Sequence, residues 1–277
     1  MHQYPIYIGK DKRITIIGGI NVLNNIDEAI EIGMKFKEAC KKNKISYVFK
    51  ASFDKANRTS FDGFRGPGFS KGLEMLREIK NLLEVPILTD IHEPYQAIKA
   101  AEVCDMLQLP AFLARQTDLI QALANTGKPI NIKKPQFISP DQIKFIVQKF
   151  SKFGCEDVVV CERGSMYGYN QQIVDIIGLE IIKEETKKPV CVDITHSLQF
   201  RNEGNSSSNG RRKYALNLAK AVTATSIDAL FIEAHQKPNF AKCDGASAIP
   251  SNVIQEFIDQ VCKIDNLVKN QDNIQIE

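Results

Sequence analysis

Apolar residues recur along the chain in two alternating patterns. Eight short β-branched runs, ITIIGGI, ISYVFKAS, PILTDI, MLQLP, PINIKK, DVVVCER, PVCVDIT and ALFIEAH, are brief and nearly continuous, which predicts strands. Between them apolar positions fall three and four residues apart, predicting helices over 27–42, 71–83, 94–102, 117–127, 139–150, 171–183, 213–225 and 250–268. Local chemistry supports two of these helices. Ser139 can cap the fifth, with Pro140 in its first turn and Gln142 completing a capping box. Gly127, ahead of Pro129, ends the fourth.

Strands that are apolar throughout are covered on both faces. Eight successive strand–helix units at a spacing of about 30 residues therefore predict an α/β fold closed into a (β/α)8 TIM barrel, one domain over 1–277. The alternative is an open, doubly wound sheet. No G-x-G-x-x-G follows the first strand, so that alternative lacks its usual dinucleotide fingerprint. The segment FRNEGNSSSNGRR, 200–212, is rich in Gly, Asn and Ser, and a complete strand–helix unit follows it; it reads as a mobile loop rather than a linker.

Composition narrows the partners. The net charge of +3, from 36 basic and 33 acidic residues, provides no global field for nucleic acid, so any anion must be held locally. The seven cysteines are odd in number, lack a C-x-x-C pair and sit mostly in apolar runs, as buried thiols of a reducing compartment do. No apolar stretch reaches the roughly 18 residues of a membrane span, and the N-terminus has no signal-like apolar core. The expected setting is cytoplasmic, with no membrane partner.

In such a barrel the active site lies at the C-terminal strand ends. Polar residues stand there in every unit: Asn21, Lys50 with Lys55, Asp90, Gln108, Lys133, Arg163, His196, and Glu233 with His235. Cations converging on one mouth repel each other unless they share an anion, which implies a multiply charged ligand. Lys133 and Arg163, from neighbouring strands, could grip a phosphate, and Lys50 and Lys55 a carboxylate. The loop FKASFDKANRTSFDGFRGPG, 49–68, has a competing reading as a solvated basic loop, but Gly63, Gly66, Pro67 and Gly68 are residues that hold a loop in one shape. A Schiff-base lysine is the lesser reading, because a bound dianion favours the charged ammonium. His196, Glu233 and Asp244 suit a divalent metal, yet the first-strand residue that would complete the set is Asn21, a poor ligand for a transition metal. Cys243 is expected to diverge from Asp244 as a packed thiol, and His2 and His92 to be structural or surface residues.

The segments FKASFDKANRTSFDGFRGPG, TDIHEP, QLPAFLARQTDL, NIKKPQF, CERG, VDITHSLQ, GRR and FIEAHQKPNFAKCDGASAIP resemble, in order and spacing, the 3-deoxy-D-manno-octulosonate 8-phosphate synthases, over residues 12–268. K-A-N-R and A-K-C-D-G separate that family from its 3-deoxy-arabino-heptulosonate 7-phosphate and sialic acid relatives. The resemblance implies condensation of phosphoenolpyruvate with arabinose 5-phosphate and water, releasing phosphate and an eight-carbon sugar acid for lipopolysaccharide. By position it implies Lys133, Arg163 and the backbone near Ala111 at the enolpyruvate phosphate, and Lys50, Lys55 and Gln108 at its carboxylate. Asn57 and Arg58 fall to the aldose, with Asp90 and His196 near its hydroxyls and aldehyde; Thr59 keeps the hydroxyl where the family usually has serine. Lys55, Asn21, His196, Glu233 and Asp244 are the implied catalytic groups. Family members are homotetramers, and the arginine and its neighbour reach an adjacent subunit's substrate, so the 49–68 loop is expected at an interface. Asn21 in GGINVLNN resembles the metal-independent class, which implies no metal and no cofactor. Two alternatives stay open at this point: a synthase using erythrose 4-phosphate, and a non-catalytic phosphate-binding barrel.

Overall fold

A computed structural model of the chain describes residues 6–9, 13–167, 170–200, 209–272, 274 and 276. Its strands are β1 (Thr15–Val22), β2 (Tyr47–Ser52), β3 (Ile87–Asp90), β4 (Met106–Leu109), β5 (Ile130–Lys133), β6 (Val158–Glu162), β7 (Val190–Asp193) and β8 (Ala229–His235). Each neighbouring pair is parallel, and β8 returns to β1 through the register Thr15↔Ala229 to Gly19↔Glu233, which closes the barrel. The helices that cover it are α1 (Ile26–Asn43), α2 (Phe69–Leu83), α3 (Gln96–Ala101), α4 (Thr117–Ala124), α5 (Ile143–Lys152), α6 (Ile176–Thr186), α7 (Ala215–Thr223) and α8 (Ile254–Lys269). Helix α1 packs on both α2 and α8, so the last helix lies against the first.

Side chains alternate across each strand, which divides the core in two. Ile16, Phe49, Ile87, Leu107, Ile132, Val160, Val192 and Leu230 face outward and join the large cluster beneath the helices. Ile17, Val48, Leu88, Met106, Val159, Cys161, Cys191, Ala229 and Phe231 face inward and fill the lower barrel, with Ile8 against them. Two residues beyond Val48, Leu88, Met106, Cys161, Cys191 and Phe231 the inward position turns polar, at Lys50, Asp90, Gln108, Arg163, Asp193 and Glu233, and Asn21 at the top of β1 and Lys133 at the end of β5 join them. All eight are buried. The barrel is thus an apolar plug below and a charged mouth above.

Local departures from the predicted elements have physical causes. The capping box at Ser139 does not form: its hydroxyl donates to the Asp141 carboxylate at 2.5 Å, and a 3-10 turn over Pro140–Gln142 precedes α5. The sixth helix begins at Ile176 rather than 171, because Gln171 and Ile173 bridge to Phe200 and Ser165 in extended form. Gly127 follows α4 with φ 66°, as its sequence position predicts. Of the predicted mobile loop at 200–212, residues 201–208 lie outside the described residues, as does His2; the flanks Gln199–Phe200 and Asn209–Gly210 pair antiparallel.

Candidate active site

A cavity of about 600 Å³ opens at the C-terminal mouth. Lys50, Lys55, Asn57, Arg58, Thr59, Asp90, Gln108, Ala111, Lys133, Arg163, His196 and Asp244 line it, so nearly every residue singled out from the sequence converges there. Asn21 and Glu233 lie just beneath. His235 does not join them; it pairs with Glu28 at 3.2 Å, away from the cavity lining.

The floor is a network of buried charge. The Glu233 carboxylate accepts from Lys50 Nζ at 2.9 Å through Oε1, and from the Asn21 amide through Oε2. The same Asn21 NH2 donates to Asp244 Oδ2 at 3.1 Å. Burial opposes charge on Glu233, but Lys50, His196 and Lys55 outweigh it and bring its pKa down to about 2. Lys50 moves down as well: burial is the first cause, and it shares Glu233 with competing cations, Lys55 among them. Lys55, also buried, is raised, because Glu233, Asp90, Cys243 and Asp244 together overcome its desolvation. It is held as an ammonium.

On the adjoining strand β7, Asp193 organises two groups. Its Oδ2 accepts from Lys133 Nζ at 2.6 Å and from His196 Nδ1 at 2.7 Å, and its Oδ1 from the backbone N–H groups of Thr195 and His196. Burial opposes its charge, yet His196 and Lys133 hold its pKa well below the carboxylate range. The Lys133 ammonium lies 3.2 Å from the Phe231 ring centroid, a cation–π contact inside the barrel, and its pKa is raised by Asp193 against the effect of burial. Because Asp193 accepts at Nδ1, His196 turns Nε2 toward Glu233 Oε2 at 3.6 Å and Asp244 Oδ2 at 3.8 Å. Arg163 is oriented by Gln172 and Gln199, at 3.0 and 3.1 Å.

Two expectations are corrected, and one residue is added. Cys243 does not diverge from Asp244: Asp244 takes the left-handed φ of 50°, which turns the pair together, with Sγ 3.2 Å from Oδ2. Arg58 Nη1 donates to that sulfur at 2.6 Å, and burial, with Asp244 adding to it, pushes the thiol up to about 12. His92 has a convergent partner after all, Asp90 Oδ2 at 2.9 Å, and lines the cavity. Asp193 was missed although its signal was present. It stands two residues beyond Cys191 on one inward-facing row, whereas attention to the strand's end selected His196 in the loop.

The basic loop is held in shape. Lys55 N donates to Arg65 O at 2.7 Å, Arg65 pairs with Asp54, and Gly66 and Gly68 adopt φ of 121° and 82°. A side chain on Gly66 would meet Phe53 O at 2.5 Å. No cluster of three or more His, Cys, Asp or Glu suited to a metal forms among the described residues, and the Asn21 amide donates to one oxygen of Glu233 and one of Asp244. Nor is any helix of the described residues long and apolar enough to cross a membrane.

A barrel whose mouth gathers lysines and arginines above buried carboxylates defines a class that handles small anions, and comparison with known proteins agrees. The model of the DAHP synthetase I family matches residues 1–270, and the chain belongs to that family. Among its relatives, a protein of Parasynechococcus marenigrum is 47% identical over 98% of this chain and 96% of its own length. One from Chromobacterium violaceum is 47% identical over 98% and 97%, and one from Vibrio atlanticus 46% over the full length of both. All three carry the name 2-dehydro-3-deoxyphosphooctonate aldolase.

Proposed function

We propose that this protein joins C3 of phosphoenolpyruvate to the aldehyde of D-arabinose 5-phosphate, adds water at C2 and releases inorganic phosphate. The product is 3-deoxy-D-manno-octulosonate 8-phosphate. The observation that carries this reading is the convergence of Lys50, Lys55, Arg58, Lys133 and Arg163 on one cavity, enough positive charge to hold two phosphorylated reactants together.

Each role follows from a group's surroundings. Lys133 and Arg163 take the enolpyruvate phosphate, with backbone near Ala111, while Lys50 and Gln108 face its carboxylate. Asn57, Arg58 and Thr59, at the rim, receive the aldose, and Asp90 its hydroxyls. Lys55, raised and buried, serves as a proton donor to the aldehyde oxygen as C3 attacks; a lysine held charged is no Schiff-base nucleophile. Positive character then develops at C2, opposite the ionised Glu233, with Asp244 beside it. Asp193 fixes the His196 tautomer by accepting at Nδ1, which leaves Nε2 to take a proton from the attacking water. Collapse of the adduct breaks the C2–O bond and expels phosphate.

Asn21 supports a metal-independent version of this chemistry, because its amide hydrogens already engage the carboxylate oxygens that an ion would need. Phosphate release from phosphoenolpyruvate, measured with either aldose and with or without a chelator, tests the whole proposal. Release with arabinose 5-phosphate that survives the chelator is expected. Release only with erythrose 4-phosphate, binding without release, or loss of activity to the chelator would each overturn the corresponding part. A homotetramer with the 49–68 loop at a subunit boundary belongs to the same proposal, and light scattering at four chain masses checks it.

A further inference from the structure

Directly behind the Lys133 and Arg163 pair stands a second pair that the chemistry above does not use. Lys134 and Glu162 are their chain neighbours, Lys134 just past the end of β5 and Glu162 the last residue of β6, and alternation continued through these strand ends points them outward where Lys133 and Arg163 point in. Both are buried, at 0% and 1% exposure, beneath the loops that leave the two strands. Lys134 Nζ lies 3.5 Å from Glu162 Oε2 and donates to Pro135 O at 3.1 Å, Ile138 O at 3.2 Å and Ser165 Oγ at 3.1 Å. The other Glu162 oxygen accepts from Gly164 N at 2.5 Å. One ammonium thus ties its own loop, 135–138, to the loop that begins at Gly164.

The backbone reinforces the tie: Lys134 N donates to Cys161 O at 2.8 Å, and Met166 N to Gln136 O at 2.9 Å. Gly164, at φ 93°, makes the turn that brings its N–H back to Glu162, and a Cβ there would strike Gln172, the residue that orients Arg163. Burial works against charge on both partners, lowering Lys134 and raising Glu162. A fully buried ion pair is a costly way to fill space, and apolar residues of similar volume could do so more simply.

Resting on the phosphate-binding reading of Lys133 and Arg163, we propose that Lys134 and Glu162 are positioning residues, which fix the separation and aim of the two phosphate-holding cations by locking the β5 and β6 loops to each other.

The test measures phosphoenolpyruvate binding to the full chain by calorimetry, alongside KM and kcat for each substrate. For Lys134→Met and Glu162→Gln, phosphoenolpyruvate affinity is expected to fall on the order of tenfold or more, with the KM for arabinose 5-phosphate little changed. Should either single variant fail to fold, the charge-balanced double variant Lys134→Met/Glu162→Gln decides, because it removes the loop tie without stranding a buried charge. A folded double variant that binds phosphoenolpyruvate within twofold of the parent would overturn the proposal, and equal loss for both substrates would do the same. Failure of the phosphate-binding reading itself looks different: Lys133→Ala and Arg163→Ala would then bind phosphoenolpyruvate as the parent does.

Discussion

Lys133 shows how far one residue could be read in advance. Its type and place at a strand end pointed to an anion, but the sequence did not reveal that Asp193 already holds it at 2.6 Å. An incoming phosphate must share this ammonium with a carboxylate. Removing it deletes a charge-assisted contact worth about 1.5–3 kcal/mol, so Lys133→Ala should raise the phosphoenolpyruvate KM roughly ten- to a hundredfold in steady-state assays. An unchanged KM would take Lys133 out of the phosphate grip. Glu233 carries a different prediction. Its folded pKa, about 2, lies below the ordinary 4.5, so the folded protein holds fewer protons there than the unfolded chain as pH falls. Its contribution to stability is therefore present above pH 4.5 and lost progressively toward about pH 2. Glu233→Gln should flatten that part of the stability–pH curve, as measured by urea unfolding at stepped pH. The pairing of Cys243 with Asp244 was illegible for a related reason: it depends on a positive φ at an aspartate, which residue type alone does not announce.

At the scale of elements, strand existence was legible because all eight runs are covered on both faces, and the inward row of each could have been counted in steps of two. Counting that way from Cys191 reaches Asp193. The start of α6 was not legible, since QQIV carries apolar spacing that fits a helix but is claimed by bridges to Ser165 and Phe200. Strand β1 shows what holds such an element in place. A Cβ on Gly19 would lie 2.1 Å from Lys50 O, so β1 and β2 approach more closely there than any side chain permits, and their register shifts between Gly19 and Val22. That shift sets where Asn21 sits relative to Lys50 and Glu233. Gly19→Ala should force the strands apart, costing about 1–3 kcal/mol in chemical denaturation. Activity should fall further than stability alone explains, because the displaced groups are Lys50 and Asn21. A variant of normal stability and activity would show that β1 yields without disturbing the mouth.

Across the whole molecule the charge is nearly balanced, at +3, yet its distribution is steep: an apolar plug fills the lower barrel and ion pairs crowd the upper rim. A ligand that binds only the closed barrel must stabilise seven of its eight strands at once, since Lys50, Asp90, Gln108, Lys133, Arg163, Asp193 and Glu233 come from seven different strands or their ends. Mass action then links affinity to global stability: phosphoenolpyruvate at a hundredfold excess over its Kd should add about 2.7 kcal/mol. For a chain of this size the melting temperature should rise by about 5 °C or more. Arg163→Ala should bind more weakly and show a smaller rise at the same concentration. Lys35→Ala removes a cation of α1 that pairs with Glu31 outside the cavity, and it should keep the full rise. Inorganic phosphate should reproduce part of the effect and compete with phosphoenolpyruvate for it, because both need the same cations. Equal shifts in the parent and in Arg163→Ala would mean that the anion binds elsewhere, and the charged mouth would then require another explanation.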